Sequence, residues 1–322
     1  MTDKHARNGD DYEVVVVGGG AAGLSAALVL GRARRRTLVV DAGEPRNAPS
    51  AHMQGYLSRD GMSPAEFLAV GRAETARYGV DLVRDRVVDA TRAADFTVVL
   101  AGGRTVRARQ LVVATGLKDE LPPVPGLAER FGRDVLHCPY CHGWEARDLP
   151  TGVLATSPLG VHQALMVTQW SKDVRLFLHE VSEDRLTGQD LRRLAAAGVT
   201  VVPGRVTGLV VTDDRLTGVR TAGGAPSAAG TVHDLEVLYA APRAVPRNDL
   251  LVRLGAELTE TPFGSYPVID ERGLTSVPGL WAAGNASGFT EQVINAASRG
   301  YRAGAAINAE LLMADLDAAA GV

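Results

Sequence analysis

Cysteine is scarce: two in 322 residues. That excludes a fold held together by a disulfide framework, and leaves a structural zinc site short of its usual four ligands. Charge of one sign is lacking too. A net charge of −3 and a pI near 6.2 give no electrostatic footprint for nucleic acid. The cluster Arg32, Arg34, Arg35 and Arg36 reads as the polar end of a helix and its turn. No run of about 18 apolar residues is present, so no membrane span is expected. Met1 to Asp11 is polar, without the apolar core of a signal peptide, so a cytoplasmic protein is expected. No internal repeat or long low-complexity tract interrupts a chain that is 46% hydrophobic. Its length allows a globular protein of two domains.

The two cysteines stand together in His137-Cys138-Pro139-Tyr140-Cys141-His142-Gly143-Trp144-Glu145. A C-x-x-C pair closes a small ring, and its surroundings set thiol pKa and redox poise. Zinc would need ligands beyond His137 and His142, which abut the cysteines in a spacing unlike zinc motifs. A two-residue loop constrains the unfolded chain little, so a purely structural disulfide has little purpose here. The pair reads as redox-active, with no metal.

Upstream, Glu13-Val14-Val15-Val16-Val17 is a β-branched run of the kind buried on both faces of a parallel sheet. It leads into Gly18-Gly19-Gly20-Ala21-Ala22-Gly23, a G-x-G-x-x-G, and then an Ala/Leu-rich helix over Leu24 to Gly31. A second strand, Thr37 to Val40, ends on Asp41, 23 positions after Gly18. Gly18 permits the tight turn, Gly20 the approach of a pyrophosphate, and Gly23 close helix–strand packing. The helix N-terminus stabilises phosphates and Asp41 accepts from a ribose. The loop Ala42 to Asn47, with Arg46, would pass along the nucleotide, followed by a polar loop from His52 to Gly61 and a helix opened by Ser63-Pro64. Residues 80 to 110 read as short strands. A further strand ends on Ala114-Thr115-Gly116, small enough to turn against a cofactor. Prolines 122, 123 and 125 mark a stiff link into a second domain, with the chain returning near Pro242 to Pro246. The tail offers a strand ending at Gly284-Asn285, then a helix from Glu291 through Gln292 and Val293 to about Met313, whose N-terminus can face an electron-rich flavin oxygen.

In this order the motifs resemble the low-molecular-weight thioredoxin reductase family over nearly the whole chain. The resemblance implies an α/β fold of two Rossmann-like, three-layer ββα domains. The FAD domain would be discontinuous, 1–118 and 246–322, and 119–245 would carry the C-x-x-C. It further implies a homodimer, FAD held by Gly18, Gly20, Ala22, Gly23, Asp41, Ala42, Arg46, Asn47, His52, Ala114, Thr115, Gly116, Gly284, Asn285, Gln292 and Val293, Cys141 next to the flavin, and Cys138 exchanging with substrate. Asn285 stands where the family often has Asp at the ribityl chain; its amide can still bond hydroxyls.

Two departures narrow the activity. The family's acid–base Asp after the second cysteine is here His142. Where its second domain has a glycine motif for NADPH, this chain has Thr156-Ser157-Pro158-Leu159-Gly160, and the basic clamp for the 2′-phosphate becomes His179-Glu180-Val181. A glutamate repels a phosphate. FAD and C-x-x-C without an NADPH site look like the dithiol oxidases that form disulfides in small natural products such as gliotoxin and holomycin. That resemblance implies a small-molecule dithiol as substrate, O2 as acceptor and H2O2 as product. His142, with His137 second, would be the base, since an imidazole takes a proton near neutral pH. A thioredoxin-disulfide reductase fed by NADPH or another donor, and a non-catalytic FAD/dithiol sensor, are the alternatives.

Overall fold

The β-branched run near the start of the chain forms β1 (Asp11–Val17), and Val14 to Val17 are buried on both faces of the sheet it belongs to. That sheet lies in the first of two units, comprising Met1–Ala48, Pro64–Lys118 and Ala244–Val322; the second unit comprises Pro49–Ser63 and Asp119–Arg243. The structure, a computed structural model, describes residues 9–222 and 230–322, so most of the Met1–Asp11 segment read above lies outside the described residues.

In the first unit β1 is followed by α1 (Ala21–Arg32), β2 (Thr37–Val40), α2 (Pro64–Ala76), β3 (Asp81–Val83), β4 (Val87–Arg92), β5 (Phe96–Leu100) and β6 (Thr105–Val113). The strand β7 (Leu117–Glu120) leads out of it. The second unit contains α3 (Leu127–Arg130), β8 (Val135–Leu136), α4 (Pro139–His142), β9 (Thr151–Leu154), α5 (Gly160–Val167), β10 (Val174–Phe177), α6 (Gly188–Ala196) and β11 (Thr200–Val202). It continues with β12 (Val206–Thr212), β13 (Arg215–Thr221), β14 (Thr231–Asp234) and β15 (Val237–Ala240). The chain returns through β16 (Arg243–Pro246) to α7 (Asp249–Arg253), β17 (Leu258–Thr261), β18 (Gly264–Pro267), β19 (Leu280–Ala282) and α8 (Val293–Ala320).

The first unit's sheet runs β3-β2-β1-β6-β5-β4, with β19 also on β6. Strands β3, β2, β1, β6 and β19 are parallel, and β4 and β5 are antiparallel. Alternation divides the valines: Val14, Val16, Val39 and Val112 pack with Ala27, Leu30, Ile307 and Leu311 of α1 and α8, and Val15, Val17, Leu38 and Leu111 pack on the opposite face. In the second unit the parallel sheet β11-β10-β9-β15-β8 is covered on one face by α5 and α6 and on the other by the antiparallel β12-β13-β14. Both units are Rossmann-like, as the fold class anticipated, and the first is discontinuous.

Two boundaries differ from expectation. The segment 49–63 was read as part of the FAD domain, but it groups with the second unit, where Ser50 meets His142 and Gln54 meets Glu145. The terminal helix does not stop near Met313. Between Met313 and Gly321 the sequence contains no Gly or Pro, and Gly321 caps the helix at φ 73°.

Helices α1 and α8 meet through small residues. A Cβ at Gly300 would overlap the carbonyl oxygen of Ala22, and one at Gly304 would press on the backbone of Ala26. Gly→Ala inside a helix ordinarily stabilises by about 1 kcal/mol. Here the sign reverses: Gly300→Ala should destabilise by about 1–3 kcal/mol, because the helices must separate. A lowered urea midpoint measures it; an unchanged or raised midpoint refutes the close approach.

Candidate redox and cofactor sites

The first unit gathers its candidate residues at the carboxyl ends of β1, β2, β6 and β19, where ligands bind in open α/β sheets. Gly18 has φ 107°, and any Cβ there would meet the carbonyl of Ala114. A Cβ at Gly23 would overlap the carbonyl oxygen of Gly18. These glycines are required for a close packing of turn, helix and neighbouring strand. Gly20 differs, since a Cβ there would meet nothing within 4 Å. It opens α1, twelve residues long, whose N-terminus no side chain caps. First-turn amides facing open space are what a pyrophosphate needs.

At the end of β2 the Oδ1 of Asp41 accepts from the amides of Gly19 and Gly43, both at 3.2 Å. Its carboxylate is thereby aimed beside the turn, with further acceptor capacity for ribose hydroxyls. Gly19 was only a filler position in the motif reading; a Cβ there would overlap the Asp41 carboxyl group. Ala42, Arg46 and Asn47 are half-buried in the loop that follows. Arg46 donates to Asn285 Oδ1 at 3.5 Å, and the Asn285 amide nitrogen donates to the carbonyls of Gly288 and Phe289, both at 3.1 Å. The amide nitrogen is thus engaged by its own turn, and Oδ1, which accepts from Arg46, has a second lone pair for a ligand. Thr115 donates to the carbonyl of Arg247 at 2.7 Å, Gly116 has φ 69°, and Gly284 has φ 65° against Ala22. Gln292 caps α8 and Val293 begins it. These residues fit an FAD: open amides at α1, an acid aimed by two backbone donors, and glycines where side chains would fill the cradle. His52 belongs to the second unit, exposed, with Nδ1 3.0 Å from the carbonyl oxygen of Gly61.

In the second unit Cys138 and Cys141 form a disulfide, with Cα atoms 5.2 Å apart, just past the carboxyl end of the edge strand β8. Cys138 is the N-cap of the short helix α4, and Pro139 takes its first position, where a missing N–H is harmless. The amide of Cys141 donates to the carbonyl of Cys138, and the helical turn continues to Ala146, whose amide donates to the carbonyl of His142 at 3.0 Å. From α5, Gln163 donates to the carbonyl of His137 at 2.7 Å; its own Oε1 is buried with no hydrogen-bond partner. Glycine is needed at 143 because a Cβ would run into the Trp170 ring. Trp170 in turn meets Tyr140 edge to face at 5.9 Å. Tyr140 and Trp144 are exposed, and the Arg147 guanidinium lies 4.3 Å from the Trp144 ring centroid.

His142 is half-buried. Burial holds its pKa below that of an ordinary imidazole, and the carboxylate of Glu145 opposes the shift. It therefore stays neutral, and able to accept a proton, at neutral pH. Its Nε2 is 3.4 Å from the Ser50 hydroxyl, and Glu145 accepts from Gln54 at 3.1 Å. Ser50, Gln54 and Glu145 belong to no motif. Only the position of Glu145, three residues after His142 on a helical turn, signalled its place.

The crossover from β9 to α5, where a nicotinamide dinucleotide would sit, is closed by its own loop. The amide of Leu159 donates to Ser157 Oγ at 3.3 Å, that of Gly160 to the carbonyl of Ser157 at 3.0 Å, and that of Val161 to the carbonyl of Pro158 at 3.2 Å. Gly160 packs closely on Ala155, where a Cβ would not fit. After β10, His179 is buried, and its Nδ1 accepts from the amide of Val206 at 3.1 Å. Burial lowers its pKa, so it is a neutral tether rather than a cationic clamp, and Glu180 stands next to it.

The sequence model of the pyridine nucleotide-disulphide oxidoreductases matches residues 12–300. A thioredoxin reductase named sirT, from Leptosphaeria maculans, is 31% identical over 95% of this chain and 96% of its own. Among solved structures, HlmI is similar at 48% identity with a TM-score of 0.90, covering 99% of this chain and 98% of the other. An oxidoreductase from Agrobacterium tumefaciens is 37% identical with a TM-score of 0.86, covering 94% and 99%.

Removing the aimed carboxylate tests the cradle. Asp41→Ala should weaken FAD binding by about 10- to 100-fold, the worth of hydrogen bonds to a charged acceptor. Titrating apoprotein with FAD measures it; undiminished affinity would place the nucleotide elsewhere.

Proposed function

The chain belongs to the pyridine nucleotide-disulphide oxidoreductase family, and from that premise we propose that it oxidises a small-molecule dithiol of natural-product type to its disulfide, with O2 as acceptor. It is an FAD-dependent thiol–disulfide oxidoreductase of thioredoxin reductase type. The finer reading is carried by the contrast between two helix starts. The amides at α1 face open space, whereas those at α5 are engaged by Ser157 and Pro158. A pyrophosphate meets open space at the first, whereas at the second the amides of Leu159, Gly160 and Val161 are already bonded, so electrons enter from thiols rather than from NADPH.

The chain's own residues supply the thiol chemistry. A substrate thiol gives its proton to His142, whose depressed pKa keeps it neutral for the purpose. The thiolate attacks Cys138, the Cys138–Cys141 bond breaks, and Cys141 leaves as thiolate. The second substrate thiolate attacks the substrate sulfur of the mixed disulfide, releasing the oxidised product and the reduced pair. FAD, held in the cradle at α1, would supply the two-electron acceptor that restores the pair, with O2 as the final acceptor and H2O2 as the product. Tyr140 and Trp144, exposed beside the pair, offer flat apolar surface to a small substrate. His137 is held through its carbonyl by Gln163, a positioning contact for Cys138. No helix among the described residues is long and apolar enough to cross a membrane. We place the enzyme in the cytosol as a homodimer, with Tyr301, Leu312, Met313 and Leu316 of α8 exposed.

The test is anaerobic. Dithiothreitol should bleach the flavin's visible absorbance and NADPH should not, with peroxide appearing on readmission of air. Rapid bleaching by NADPH would restore a thioredoxin-reductase-type activity and sink the oxidase. Rates of bleaching by dithiothreitol should fall about 100- to 10,000-fold in His142→Asn. Because burial lowers the pKa of His142, the base is lost only as pH falls past a point acid of about 6.5, the ordinary imidazole value. The wild-type acid limb should lie there and vanish in the variant.

A further inference from the structure

The segment 49–63 leaves the first unit between β2 and α2 and is built into the second. It is a closed loop: the amide of Met53 donates to the carbonyl of Met62, that of Gly61 donates to the carbonyl of Met53, and Asp60 accepts from the amide of Gly55 at 2.7 Å. A loop so braced delivers side chains to fixed places. Two of them reach the turn that follows the disulfide, Ser50 at His142 and Gln54 at Glu145.

We infer that Ser50 and Glu145 are positioning residues for His142, Ser50 selecting its tautomer and Glu145 balancing the charge it acquires. This deepens the oxidase reading and rests on it. When Ser50 Oγ accepts from Nε2–H, the lone pair is left on Nδ1, and the imidazole is oriented to take a proton there. The proton comes from the substrate thiol, and the new charge on the ring is met by two anions. One is the Cys141 thiolate freed when the substrate sulfur bonds to Cys138. The other is Glu145, three residues on along the same turn and fixed by Gln54. Electrons and protons balance within the step: one S–H and one S–S bond break, and one N–H and one S–S bond form.

The other groups near this cluster do not compete for the proton. Tyr239, from β15, faces Glu145, and its burial pushes its pKa upward, so the phenol stays neutral. Arg147 is held against the Trp144 ring and donates to the carbonyl of Trp144 at 2.7 Å. Ser50 and Gln54 carry no charge. The carboxylate of Glu145 is thus the charged group of the protein that acts on His142.

The experiment uses histidine-labelled oxidised holoenzyme and its Ser50→Ala, Ser50→Thr and Glu145→Gln variants. Nitrogen NMR of His142 is followed from about pH 5 to 8, the range of imidazole titration. Wild type and Ser50→Thr should show the Nε2–H tautomer, and Ser50→Ala a mixture. Glu145→Gln should move the His142 midpoint to lower pH. Anaerobic bleaching by dithiothreitol should slow about 2- to 10-fold in Ser50→Ala and in Glu145→Gln, the worth of one hydrogen bond or close charge, and recover in Ser50→Thr. An unchanged tautomer in Ser50→Ala together with an unchanged midpoint in Glu145→Gln would overturn the inference. If the spectra change as expected while wild type is not bleached by dithiothreitol, the positioning stands and the oxidase reading falls.

Discussion

A helix begins with amide donors that none of its own carbonyls can satisfy, and what satisfies them separates the two units of this chain. They share an architecture, a parallel sheet whose first crossover helix starts at the strand ends. In the first, Gly18 and Gly23 let the turn collapse against Ala114, while the space beside Gly20 at the start of α1 stays open. In the second, Ser157 and Pro158 fold back over the start of α5 and take its amides. The same fold position is a nucleotide cradle in one unit and a closed turn in the other. Three ordinary hydrogen bonds engage amides there that an anion would otherwise use.

The close approaches that make the cradle also set the limits of substitution around it. Gly19 yields to the carboxyl group of Asp41, and Gly300 to the backbone of Ala22. Such positions carry no chemistry, yet the sheet ends, α1 and α8 converge only because nothing larger than hydrogen occupies them.

Local order was readable from the residues. The Val14–Val17 run, the glycine motif and Asp41 follow one another within 31 residues, and each has a short-range physical signature. The cysteine pair announces itself by spacing, and the degraded crossover by its missing glycines. What could not be read is long-range. Nothing in Pro49–Ser63 says that it joins the second unit, because the contacts that place it, Ser50 with His142 and Gln54 with Glu145, span about 90 residues. His52, expected at the cofactor, lies in that same segment. The unpaired Oε1 of Gln163 is likewise a property of packing, as any glutamine on a helix looks alike in sequence.

Burial and proton chemistry agree on only one of the two states that His142 must take. A base next to a disulfide must be neutral before the reaction and charged during it. Burial alone secures the first state by penalising the charge, but it would oppose the second. A fixed carboxylate such as Glu145 eases the second, and a hydroxyl on Nε2 decides which nitrogen receives the proton. An aspartate at position 142 would meet neither demand as well. Burial would raise its pKa, and on accepting the proton it would become neutral, leaving the Cys141 thiolate without a counter-charge. Imidazole becomes cationic on accepting the proton, so it stabilises the leaving Cys141 at the moment that thiolate appears. The replacement of acid by histidine thus suits a pair that is repeatedly opened by incoming thiols, as the closed crossover at α5 requires.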